Sequence, residues 1–106
     1  MVQRYCLFGS SGTDLREVCD ALEISLGVSF VGRESSFKGG RYYLARAEEF
    51  EKITVEANWV DEEGYLAEGE FSAYSTLVYV TNPTGRVLSV LENSDYLQPL
   101  RTECVD

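Results

Sequence analysis

The sequence predicts a small α+β domain: a mostly antiparallel sheet of about five strands with two helices packed on one face, in the order β-α-β-β-β-β-α. Three observations carry that expectation. Two segments repeat apolar residues at helical spacing, several others alternate with period two or are apolar throughout, and glycine-rich connections follow the first helix. With 106 residues, 44% of them apolar, the chain has enough material for one core, so residues 1–106 read as a single domain.

The elements follow in order. Val2 to Phe8 is rich in β-formers on both faces, as a strand inside a sheet is, and Gly9-Ser10-Ser11-Gly12 ends it. Thr13 or Ser11 suits the cap of a helix, with Asp14 and Glu17 in its first turn and Leu15, Val18, Cys19, Leu22 and Leu26 along one stripe. Gly27 closes it. Val28 and Phe30 alternate against Ser29 as a second strand. A connection through Ser35-Ser36-Phe37-Lys38-Gly39-Gly40 leads to a third, Arg41 to Arg46.

Ile53, Val55, Ala57 and Trp59 alternate with Lys52, Thr54, Glu56 and Asn58, a half-buried fourth strand in which Trp59 is in phase with the core positions. Asp61 to Tyr74 has no sustained period and reads as a long exposed loop. Thr76 to Thr81 is apolar on both faces and belongs to the middle of the sheet. After Asn82-Pro83, Val87, Leu88, Val90 and Leu91 form the stripe of a second helix ending near Asn93. The tail from Ser94 docks on the sheet, and its Pro99 argues against a long helix there.

Charge narrows the function. Eighteen acids against nine bases give a net charge of −9 with no histidine. That balance argues against binding a phosphate backbone, and it removes the commonest general base and metal ligand. No enzyme motif stands out, and no cofactor or metal is expected. The apolar runs are too short to span a bilayer, and the opening residues do not read as a signal peptide, so a cytoplasmic protein is expected. Cys6, Cys19 and Cys104 form no CxxC pair, which fits thiols in a reducing compartment.

The acids are unevenly placed. Residues 1–46 hold six bases and five acids, whereas residues 47–106 hold three bases and thirteen acids. Between positions 48 and 70, Glu48, Glu49, Glu51, Glu56, Asp61, Glu62, Glu63, Glu68 and Glu70 face only Lys52, which reads as one acidic field. A charge run is usually a solvated face kept for solubility. Trp59, Tyr65, Phe71 and Tyr74 interleave with these acids, and aromatic anchors among charges mark interfaces. Asp61, Glu62, Glu63, Tyr65, Glu68, Glu70, Phe71 and Tyr74 are therefore the expected partner-binding residues, while Trp59 is open to either a core or an interface role.

Other motifs are weaker. Gly9-Ser10-Ser11-Gly12-Thr13 has the strand-to-helix position of an anion-holding turn but lacks a phosphate-loop lysine and the GxGxxG spacing. Ser35, Ser36 and Lys38 read as hairpin-tip residues, and the neighbouring pairs Glu48-Glu49 and Glu62-Glu63 lack the spacing and burial of an acid–base couple.

Leu22-Glu23-Ile24-Ser25-Leu26-Gly27-Val28-Ser29-Phe30, then Arg33-Glu34-Ser35-Ser36-Phe37-Lys38-Gly39-Gly40-Arg41-Tyr42-Tyr43, then Asn58-Trp59, resemble the small acidic immunity proteins that bacteria encode beside polymorphic or contact-dependent toxins. The resemblance implies a non-catalytic inhibitor, monomeric or weakly dimeric, that binds a cognate toxin. Independently, an acidic surface suits a basic partner such as a nuclease-type toxin. Two other classes stay open: an adaptor that pairs through an exposed edge at Arg41 to Arg46, and a small enzyme or anion-binding domain built on the Gly9-to-Thr13 turn.

Overall fold

The computed structural model describes residues 2–12, 14–35, 40–60, 64 and 66–106. Its elements are β1 (Gln3–Ser10), α1 (Leu15–Leu26), β2 (Val31–Ser35), β3 (Gly40–Ala47), β4 (Phe50–Ala57), β5 (Thr76–Thr81), α2 (Gly85–Glu92) and β6 (Gln98–Val105). The expected α+β class holds, with six strands rather than five. All neighbours pair antiparallel in the order β2-β3-β4-β5-β1-β6.

The extra strand is the tail. β6 lies at the sheet edge and pairs only with β1, so Pro99, opposite Phe8, costs no interior ladder bond. A register shift between Leu7 and Phe8 accommodates the proline end. At the opposite edge, the strand expected over Val28 and Phe30 begins instead at Val31. Phe30 is buried and its backbone N–H donates to the Glu23 carboxylate at 2.8 Å, which ties the segment after α1 back to the helix. β2 thereby occupies the edge, and β3, which includes Arg41 to Arg46, is internal between β2 and β4. The tip 36–39 lies outside the described residues.

Both helices start one step later than their sequence signals. Asp14, rather than Ser11, caps α1 by accepting from the Glu17 N–H at 2.8 Å, and Gly27 ends it at φ 68°. Thr13, the other expected cap, lies outside the described residues. Thr84 caps α2, with Pro83 just ahead of it.

The two helical stripes enter one buried cluster. Val18, Cys19, Leu22 and Leu26 of α1 and Val87 and Leu91 of α2 pack with Cys6, Phe8, Ile53, Val55, Val78 and Val80. Strand register places those six strand residues on a single face: Cys6 opposes Val80, Phe8 opposes Val78, and Ile53 and Val55 oppose the same valines. Both helices therefore cover one side of the sheet, as expected, and the alternate residues point to the other side. Burial pushes the Cys19 thiol up to about 12 and raises that of Cys6. These two therefore pack as small apolar groups, and Cys104 is exposed.

Candidate partner-binding site

Register assigns the open face. Arg33 opposes Tyr42, and Leu44, Thr54, Tyr79, Leu7 and Arg101 form a row across five strands from β3 to β6. Lys52, Thr81, Tyr5 and Glu103 form the next row. No helix covers these residues. At one end, however, Leu7 and Leu77 are fully enclosed although they lie on this face. Over this end, from the chain between β4 and β5, reach Glu68, bonded to Tyr79 and Arg101, and Tyr74, which lies with Leu100 against Gly9.

Asn58 organises that segment. β4 ends at Ala57, and the Asn58 side-chain amide donates to the carbonyls of Glu68, Phe71 and Tyr74 at 3.3, 3.1 and 3.1 Å. Its oxygen accepts from the Glu68 N–H at 2.9 Å, and its own N–H donates to Ser75 at 2.9 Å. The Glu68 and Phe71 carbonyls also accept from the Phe71 and Tyr74 N–H groups, so Asn58 is the added partner of the Tyr74 carbonyl and the Glu68 N–H and ties three points of the loop to the end of β4. Val60 and Leu66 bridge the start of the segment, and a 3-10 turn at Gly69–Phe71 shapes its middle. At its end Tyr74 lies against Gly9. A Cβ there would meet Tyr74 Cγ at 2.7 Å and Leu100 Cδ1 at 2.8 Å, so the missing side chain makes room for the aromatic ring.

Glu68 is the second anchor. It accepts from the Tyr79 hydroxyl at 2.7 Å and from both terminal nitrogens of Arg101 at 3.0 and 3.3 Å. Burial opposes ionisation of Glu68, but the bonds from Arg101 and Tyr79 outweigh it and hold its carboxyl below the usual carboxylate range. The same partner and the same burial raise the Tyr79 hydroxyl.

Of the residues the sequence marks for binding, Glu68 is thus held internally, Glu70 is exposed, and Phe71 and Tyr74 are half-buried in the loop. Asp61, Glu62, Glu63 and Tyr65 lie outside the described residues. The acidic field of residues 48–70 is not continuous among the described residues. Glu48 and Glu49 sit in the β3–β4 turn, at the far end of β4 from the loop, and Glu49 pairs with Arg86 on α2. Glu51 accepts from Asn82, and Glu56 from Thr54.

Trp59 does not join the core. The strand phase that would have buried it breaks at Asn58, and the indole lines a hollow of about 360 Å³ on the open face with Tyr5, Lys52, Thr54, Glu56 and Tyr79. Sequence reasoning put Lys52 on the wet face of β4 but missed Tyr5 and Tyr79 as its neighbours there, because only the sheet order brings β1, β4 and β5 side by side. The exposed large apolar residues follow the same distribution. Tyr5, Val31 and Val105 lie on the open face and Val60 beside it, whereas Ile24 is exposed on α1 and Val2 ahead of β1.

The Gly9-to-Thr13 turn is differently placed from an anion site. The Asp14 carboxylate already occupies the N-terminus of α1, where it would repel a bound anion. Among the described residues no group of three His, Cys, Asp or Glu is arranged to hold a metal ion, and no helix is long and apolar enough to cross a membrane. The chain matches no protein-family model, and no curated protein or solved structure is significantly similar to it.

Asn58→Ala removes four side-chain hydrogen bonds and takes their partner from the Tyr74 carbonyl and the Glu68 N–H, and it should destabilise the fold by about 2–3 kcal/mol. Urea unfolding measures this, and limited proteolysis should cut the variant first within residues 58–75. For Glu68, a depressed folded pKa means that its contribution is complete above the ordinary value of about 4.3 and is lost as pH falls through the folded value. Glu68→Gln should therefore unfold about 1–2 kcal/mol more easily at pH 7. Unfolding midpoints of the variant and the parent chain should converge as pH drops below 4.

Proposed function

We propose that this chain is a non-catalytic, immunity-type binding protein that neutralises a basic protein toxin in the cytoplasm by seating it on the open face of the sheet, against the anchored 58–75 loop. The observation that carries this reading is where the apolar surface is left uncovered. Tyr5, Val31 and Val105 lie on the face that no helix covers, and Val60 and Trp59 border it. The first three are spread over the face, on β1 and on the two edge strands, and Tyr5 meets Trp59 at a concavity among charges, which is the composition of a docking surface.

The loop supports the same reading. A connection of this length without regular secondary structure is uncommon in a small domain and is usually functional or disordered, and this one is fastened by Asn58 and Glu68. Its sequence places three consecutive acids, Asp61, Glu62 and Glu63, directly after exposed Val60, with Glu70 exposed further on. Such acids accelerate encounter with a cationic surface, while the aromatic residues provide contacts that slow release.

The adaptor and anion-turn alternatives are the less favoured readings. Arg41 to Arg46 belongs to an internal strand, and Asp14 fills the helix terminus. In the organism that encodes the chain, a growth-arresting protein from the adjoining reading frame should form a stable complex with it and lose its toxicity on co-expression. Replacing Asp61, Glu62, Glu63 and Glu70 by their amides should slow association roughly tenfold at low salt and leave dissociation little changed. An association rate indifferent both to salt and to these substitutions would contradict the proposal.

A further inference from the structure

The chain has twice as many acids as bases, so Coulomb attraction alone would pair every cation with a carboxylate. Four arginines do find acids: Arg16 with Asp20 and Glu23, Arg41 with Glu34, Arg86 with Glu49, and Arg101 with Glu68 and Glu103. Among the described residues Arg4, Arg33, Arg46 and Lys52 do not, and of these the last three lie together. Among the described residues none of the three has an ion pair, and all three line one hollow of about 230 Å³ with Tyr42, Leu44 and Thr54.

They come from β2, β3 and β4, so the sheet, and not chain proximity, brings three like charges together. The neighbouring carboxylate on this face, Glu56, is buried and accepts from the Thr54 hydroxyl. Converging cations repel one another, and a surface rich in acids offers easy relief that these residues do not take. This hollow shares Lys52 and Thr54 with the aromatic hollow that contains Trp59 and Tyr79.

We infer that Arg33, Arg46 and Lys52 form a receptor for the carboxylates of an acidic peptide segment, a site separate from the acidic loop. The two arginines offer planar forks that match carboxylates, and Lys52 adds a third cation beside them. A carboxylate-bearing peptide fits better than a nucleic acid. A continuous phosphate backbone would extend across a molecule of net charge −9, whereas a short acidic segment presents its charge only in the hollow.

The test is an amide NMR titration of the labelled full chain with tetraglutamate, alongside tetraglutamine, pyrophosphate and a short oligothymidylate. Tetraglutamate should shift the amides of Arg33, Tyr42, Leu44, Arg46, Lys52 and Thr54, tetraglutamine should not, and added salt should weaken the effect. Arg33→Gln with Arg46→Gln should weaken binding by roughly tenfold, and Lys52→Gln alone by roughly threefold, with the remaining spectrum unchanged. Absence of shifts with tetraglutamate, or equal shifts in the double variant, would overturn the assignment. So would a response to pyrophosphate or oligothymidylate without one to tetraglutamate, which would make the hollow a phosphate site. The loop acids are intact in every arm, so failure here leaves the proposed docking of a basic partner standing.

Discussion

Asn58 is the constraint on which the functional face depends. A six-stranded sheet with helices on one side leaves Leu7 and Leu77 in water unless the β4–β5 connection folds over them. That cover brings backbone carbonyls onto an apolar surface, where each needs a donor. Backbone N–H groups within the loop serve the Glu68 and Phe71 carbonyls, and a single amide at the end of β4 reaches these two and the Tyr74 carbonyl and accepts from the Glu68 N–H. Glu68 then fastens the middle of the loop to β5 and β6 through Tyr79 and Arg101. The absence of a side chain at Gly9 admits Tyr74 at the end. Among the described residues nothing comparable continues across β3 and β2.

Much of the architecture was legible in the residues. Thr76–Thr81 is bounded as its uniform apolarity implied, and the Leu22 and Leu91 stripes converge on the alternating valines and Ile53 as their periods required. What escaped was set by pairing rather than by local pattern. β2 has the sequence VGRES and is exposed at nearly every position, so it bears no hydrophobic alternation. β6 carries Pro99, which excludes an interior strand but not an edge. Trp59 looked like core because the alternation of β4 runs on through it. The hydrogen-bonding demands of the loop end the strand two residues earlier.

The charge pattern was the most informative feature of the sequence and also the one most altered by folding. Neighbours in sequence such as Glu49 and Glu56 lie near opposite ends of an extended strand, and Glu49, Glu56 and Glu68 all have internal partners. Conversely, Arg33, Arg46 and Lys52 come from three successive strands and meet on one surface. The open face is consequently not uniformly negative. It carries a cationic hollow that adjoins an aromatic one, and Glu70 is exposed on the β4–β5 connection. A partner matched to it would present the opposite pattern of charges, which is more selective than simple attraction between an acidic and a basic protein.

The central claim is that partners dock on the face no helix covers, and hydroxyl-radical footprinting of the chain, free and bound to the toxin proposed above, reads it most directly. Tyr5 and Trp59 on the open side should lose reactivity in the complex, while Ile24, 86% exposed on α1, should react as it does alone. Protection of Ile24 with Tyr5 and Trp59 left fully reactive would place the interface on the helical side and contradict the account.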